Sequence, residues 1–211
     1  MNKHDIDGLF PSWIPGLRRS LALGLFFVTL AVAGGLPAQS PAPADFRPPD
    51  RLAWWTEARF GMFIHSGLYA LPARHDWVKK DERLTNADYE KYFRLFDPDL
   101  YNPRDWARAA RAAGMRYAVL TAKHHEGFCL FDSKYTDYKA TNTPAGRDLG
   151  KEFVEAFRAE GLRVGFYYSL LDWHHPDYAV DRNHPRSPAT DAEYDALNAG
   201  RDMDRYRRYV K

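Results

Sequence analysis

Tyr117-Ala118-Val119-Leu120-Thr121 is a short apolar run that passes at once into Ala122-Lys123-His124-His125-Glu126, a switch from strand chemistry to clustered ionisable groups. Two more runs share its character, Phe60 to Ile64 and Val164 to Ser169, each short and rich in aromatic or branched side chains. All three lead into polar loops and then into helical patterns. Asn86-Ala87-Asp88-Tyr89 opens one helix. Pro103 opens a second over Arg104 to Ala113 with Gly114 at its end, Gly146 to Ala159 forms a third closed by Gly161, and Asp191 to Lys211 begins a fourth. The runs recur at roughly fifty residues, too far apart for hairpins and suited to βα units with elaborated loops.

Parallel strands separated by helices build either a doubly wound sheet or a barrel. No glycine-rich G-x-G-x-x-G turn follows the first run, which removes the best marker of a dinucleotide-binding sheet. Polar chemistry collects just after each strand, where a (β/α) barrel keeps its active site. The expected fold class is therefore α/β, a (β/α)8 TIM-barrel type of catalytic domain. A complete barrel takes eight units and about 250 residues, so the reading is of a barrel truncated after about three βα units, with an open sheet edge.

The expected domain order is a signal peptide at 1–38, a proline-rich linker at 39–50 and the amino-terminal part of the barrel at 51–211. Arg18 and Arg19 precede an uncharged run from Leu21 to Gly35 that ends in Gly34-Gly35-Leu36-Pro37-Ala38, the pattern of a secretory leader cleaved near Ala38. The run is shorter than the ~20 residues that span a bilayer, so no membrane attachment is expected after cleavage and the protein is expected to be secreted or periplasmic. Pro41, Pro43, Pro48 and Pro49 stiffen the linker. Of the 211 residues, 45% are hydrophobic, enough for a packed core, and the net charge of +2 excludes the basic surface of a nucleic-acid binder. A single cysteine, Cys129, rules out an internal disulfide and reads as a small buried apolar side chain between Phe128 and Leu130.

Six histidines fall at or beyond strand ends: His65, His75, His124, His125, His174 and His175. One histidine after a strand is usually structural, but three loops supplying one or two each converge in a barrel mouth. The same loops carry Asp76, Trp77, Glu126, Asp132, Tyr168, Asp172 and Trp173. Imidazoles and carboxylates serve sugar hydroxyls, and indoles stack on the apolar face of a pyranose. The competing reading makes the two tryptophans packing residues and the acids solvated loop charges. A metal-dependent barrel hydrolase is a further alternative, weakened because the first strand lacks an H-x-H pair and His124 and His125 would point to opposite sides of an extended chain.

Four blocks carry a specific resemblance: Phe60-Gly61-Met62-Phe63-Ile64-His65, Leu120-Thr121-Ala122-Lys123-His124-His125-Glu126-Gly127-Phe128, Asp132-Ser133-Lys134-Tyr135-Thr136-Asp137-Tyr138 and Gly165-Phe166-Tyr167-Tyr168-Ser169-Leu170-Leu171-Asp172-Trp173. In order and spacing, from about Leu52 onward, the chain resembles the α-L-fucosidases of glycoside hydrolase family 29. The resemblance implies a retaining exo-glycosidase that releases terminal α-L-fucose from fucosylated glycans without metal or cofactor. It implies that His65, His124 and His125 hydrogen-bond the fucose hydroxyls, that Asp76 contacts a hydroxyl while Trp77 lines the pocket, and that Tyr168 lies close to the reacting centre. The chain departs from the family pattern at Ser66, where tryptophan is usual, and at Asp76, where glutamate is common. The family's nucleophile, an aspartate ending the fourth strand, is expected beyond Lys211, so no aspartate of this chain takes that role. Beside the fucosidase stands a non-catalytic alternative, a fragment or weakly sugar-binding partial barrel.

Overall fold

Three parallel strands form one sheet in the order β1 (Gly61–Ile64), β2 (Tyr117–Lys123) and β3 (Arg163–Tyr168). The computed structural model describes residues 50–210, which belong to the compact unit Arg47–Lys211. The leader at 1–38 and the linker at 39–50, apart from Asp50, lie outside the described residues. Helices in chain order are α1 (Asp50–Ala58), α2 (Val78–Asp81), α3 (Asn86–Arg94), α4 (Pro103–Ala112), α5 (Leu149–Ala159), α6 (Asp191–Asn198) and α7 (Met203–Tyr209). Among the described residues no helix is long and apolar enough to cross a membrane.

Register explains which face is buried. Ile64, Leu120 and Phe166 align across the sheet, as do Phe63, Val119 and Gly165, and alternate residues of a strand point to opposite faces. Met62, Ile64, Ala118, Leu120 and Val164 pack on one face against Ala107 and Ala110 of α4 and Leu149, Phe153, Ala156 and Phe157 of α5. On the opposite face Phe63 is 54% exposed. The helices thus cover one face, and the face bearing Phe63 continues upward into the polar loops.

Local chemistry sets the helix ends. Thr85 accepts from the Asp88 amide while Asp88 accepts from the Thr85 amide, a capping box that starts α3. Asn102 caps α4, with Pro103 in the first turn where its missing N–H costs nothing. Two boundaries differ from the sequence reading. Helix α5 starts at Leu149 because the Asp148 carboxylate accepts from the Lys151 amide, which leaves Gly146 in the preceding turn. The fourth helical segment is two helices, since Asn198 turns its amide to the Val180 backbone and Asp202 opens α7 by accepting from the Asp204 and Arg205 amides.

Helix α1 has no counterpart among the elements expected from the sequence. Its Trp54 meets the Tyr117 ring edge-on at 6.1 Å and carries the Arg163 guanidinium 4.5 Å above its own ring. These contacts set α1 against the amino-terminal ends of β2 and β3. A Cβ on Gly61 would lie 2.4 Å from the Tyr117 ring, so glycine there lets the tyrosine cross β1. Cys129 is fully buried, and burial pushes its thiol up to about 12, consistent with a packing role.

The two faces predict unequal costs. Phe153→Ala, at a fully buried position, is expected to cost about 3–5 kcal/mol, whereas Phe63→Ala on the uncovered face is expected to change stability by no more than ~0.5–1 kcal/mol. Urea denaturation midpoints of the two variants check this.

Candidate functional site

Each strand delivers a polar group at its carboxyl end. His65 follows β1, His124 and His125 follow β2, and Ser169 follows β3. The loop beyond His65 returns Tyr69, Asp76 and Trp77 to the same place. His65 Nδ1 shares a 2.6 Å hydrogen bond with the Tyr69 hydroxyl, and its Nε2 lies 3.6 Å from Asp76 Oδ2. His124 Nε2 lies 3.5 Å from the same oxygen, while its Nδ1 is 3.2 Å from Glu126 Oε2. Asp76, with its side chain 40% exposed, therefore bridges two imidazoles at the mouth, and buried Glu126 stands behind them.

Hydrogen-bond partners orient the rings and settle the tautomer of His125. A carboxylate only accepts, and His124 faces one at each ring nitrogen, Glu126 at Nδ1 and Asp76 at Nε2, so whichever nitrogen carries hydrogen donates to its carboxylate. Ser169 donates its hydroxyl hydrogen to the Leu171 carbonyl at 2.8 Å and so accepts from His125 Nδ1–H at 2.6 Å. That leaves His125 Nε2 as an acceptor. Burial, with neighbouring His124 second, lowers the His125 pKa to about 4, so its ring is neutral at pH 7. Burial similarly holds His65 below its ordinary value.

Aromatic rings wall one side. Trp77 meets His125 at 5.2 Å and Trp173 at 5.5 Å, both edge-on. Trp173 in turn lies 5.3 Å from His125, and its amide donates to the His125 carbonyl at 2.7 Å.

Of the residues the sequence singled out, His65, Asp76, Trp77, His124 and His125 come together. Tyr168 does not. It lies beside Phe131 with Lys123 Nζ 4.9 Å above its ring, next to Ala122, Gly150 and Val154 on the helix side. Its neighbour Tyr167 takes the pocket side instead, 5.9 Å from His124 and 6.3 Å from His65. Strand alternation was the available signal: if Val164 and Phe166 face the helices, Tyr167 faces the pocket.

Three of the six histidines also stay outside. His75 pairs with Asp81 at the surface, His174 stacks on the Tyr138 ring at 4.0 Å, and His175 packs against Tyr206 and Tyr209. Asp132 pairs with Lys139. Adjacent His124 and His125 do not diverge as an extended chain would place them, for their rings lie 4.1 Å apart. The cause is a turn in which the Gly127 amide donates to the His124 carbonyl at 3.1 Å.

Behind the turn lies an ion pair the sequence did not disclose. Lys123 Nζ and Asp172 Oδ2 are 3.0 Å apart with side chains 0% and 2% exposed. The other Asp172 oxygen accepts from the His174 and His175 amides. A Cβ on Gly127 would meet it at 2.4 Å, and the φ of +86° there suits glycine alone.

A sequence profile described as Alpha-L-fucosidase matches residues 41–211. The chain belongs to the alpha-L-fucosidase family. Its relatives include the tissue alpha-L-fucosidase of Rattus norvegicus, 34% identical over 75% of this chain and 38% of that protein. Among solved structures, alpha-L-fucosidase isoenzyme 1 from Paenibacillus thiaminolyticus is 60% identical with a TM-score of 0.71, covering 76% of this chain and 38% of that one. A second, an alpha-L-fucosidase from Bacteroides thetaiotaomicron described as a trapped covalent intermediate with 2-fluoro-fucosyl fluoride, is 32% identical with a TM-score of 0.65, covering 78% of this chain and 37% of the other. The chain spans under two-fifths of the length of each.

Two outcomes follow from the buried charges. Lys123→Met strands Asp172 in the interior and is expected to cost about 3–5 kcal/mol in urea denaturation. His125 and His184 both have pKa values lowered to about 4 in the folded state, so the unfolded chain binds more protons below pH ~6.5. Their contribution is complete above that pH and is lost as pH falls toward 4. The urea midpoint should drop on acidification through this window, and His125→Gln should flatten part of the slope.

Proposed function

We propose that His65, Asp76, His124 and His125 hold the hydroxyls of a terminal α-L-fucose, as the sugar-recognition part of a retaining exo-α-L-fucosidase acting on fucosylated glycans. The observation that carries this reading is the set of bare acceptors. His125 Nε2 and the Asp76 carboxylate are acceptors, sugar hydroxyls bring one hydrogen each, and the imidazoles of His65 and His124 stand beside them. Trp77 gives the pocket an apolar wall for the ring. The placement of these groups at the carboxyl ends of parallel strands supports a (β/α)8 barrel as the parent architecture. Membership of the fucosidase family and the fucosyl intermediate of the Bacteroides relative support the substrate and the retention of configuration.

Retention needs two carboxyl groups about 5–5.5 Å apart, one attacking the anomeric carbon and one managing the proton. Neither role falls to a carboxylate of this pocket. Asp76 sits between two imidazoles as a hydroxyl acceptor, and Glu126 is buried behind His124. The reading requires no cofactor, and we place the protein outside the cytoplasm, with residues 1–38 as its leader. A second reading, sugar binding without hydrolysis, is favoured by the uncovered sheet face around Phe63.

One preparation separates these. The 211-residue chain is titrated calorimetrically with L-fucose and assayed for release of 4-nitrophenol from its α-L-fucoside. L-Fucose is expected to bind, with affinity falling at least about tenfold in Asp76→Asn through loss of a charged acceptor. Binding with hydrolysis supports the enzyme, and binding alone supports the second reading. No interaction with L-fucose or its α-glycosides would refute both.

A further inference from the structure

The same pocket has the makings of a cation site. His65 Nε2 and His124 Nε2 lie 3.6 and 3.5 Å from one oxygen of Asp76, and a donor atom from each of the three residues lies within 4.8 Å of the others. Zinc bonds of about 2.0–2.1 Å at tetrahedral angles put ligand atoms about 3.3–3.4 Å apart. The two separations to Asp76 are within a few tenths of an ångström of that edge, a shift that side-chain rotation supplies.

What lies behind the imidazoles matters as much. A metal-bound histidine gives one ring nitrogen to the ion and donates the other N–H to a carboxylate or another acceptor, which orients the ring and raises its basicity. Behind His124 that acceptor is Glu126, 3.2 Å from Nδ1. His65 Nδ1 faces the Tyr69 hydroxyl, which accepts as readily as it donates, so the ring can turn its Nε2 lone pair outward without losing its partner. Glu126 and Asp76 place two carboxyl groups beside the two imidazoles, a donor set that attracts a divalent ion. His65 and Asp76 side chains are 39% and 40% exposed, which gives an ion access and leaves a coordination position to water.

We propose that His65, Asp76 and His124 form a binding site for a divalent first-row transition cation such as zinc, and that the ion and a sugar ring exclude each other there. The ion is an inhibitor by occupation and takes no part in glycoside chemistry. Exclusion rests on the sugar reading given above; ion binding does not. Two imidazoles and a carboxylate select zinc, copper or nickel over magnesium and calcium, which take all-oxygen sets.

The test is calorimetric titration of the tag-free 211-residue chain with zinc chloride, alone and in rising L-fucose. One zinc per chain is expected, with the dissociation constant raised at least about tenfold in Asp76→Asn and in His65→Gln. His75→Gln, whose native partner is Asp81 outside the cluster, is expected to bind zinc like the parent. Both cluster substitutions fall on solvent-facing side chains, and near-UV circular dichroism checks that each variant keeps its fold. Magnesium in place of zinc should give no such binding. Absence of zinc binding, or binding untouched by both cluster substitutions, overturns the site. If zinc and L-fucose each bind but do not compete, mutual exclusion is overturned. If zinc binds and L-fucose does not, the sugar reading fails while the ion site stands.

Discussion

Lys123 and Asp172 meet in the interior, stripped of water, and the arrangement of the pocket depends on that meeting. A buried charge is tolerated only when paired and further hydrogen-bonded. Asp172 meets the condition by accepting from Lys123 with one oxygen and from two successive amides with the other. The pair joins the end of β2 to the loop after β3, two stretches nearly fifty residues apart. It also fills the space beside Gly127, so the turn that presents His124 and His125 is shaped against it. The adjacent contacts, Trp173 amide to His125 carbonyl and His125 imidazole to Ser169 hydroxyl, reinforce the same junction.

From that junction the pocket acquires a single chemical character. Burial lowers the pKa of His65 and His125, and all three imidazoles meet a fixed partner at Nδ1 and turn Nε2 toward the pocket. Glu126, Ser169 and Tyr69 hold the Nδ1 sides of the three histidines and so orient what their Nε2 atoms can offer. A sugar hydroxyl and a transition-metal ion are both answers to a cluster of outward lone pairs. They differ in how many of those lone pairs a single atom engages.

Much of this was legible in the sequence where the signal is local. Short apolar runs marked all three strands within a residue or two, and Asn86-Ala87-Asp88-Tyr89 and Pro103 marked the starts of α3 and α4. Blocks around His65, His124 and His125 carried the family resemblance. Signals failed where several helical patterns abut. Gly146 looked like a helix start until the Asp148 carboxylate proved to be the cap, and the segment after Asp191 is interrupted because Asn198 bonds to Val180 rather than extending the helix. Helix α1 escaped notice beside the prolines, since its purpose is a contact with Tyr117 and Arg163 far along the chain.

By itself, then, the sequence determined the α/β alternation, the parallel strands, the family and the three pocket histidines, because periodicity, caps and contiguous motifs are properties of neighbouring residues. Only tertiary structure decided that Tyr167 and not Tyr168 faces the pocket, that His75, His174 and His175 stay outside it, and that Asp172 serves Lys123 in the interior. Those outcomes depend on which face of a strand is buried and on which distant groups share the same dry volume. Neither quantity is written in the spacing of residues along a chain.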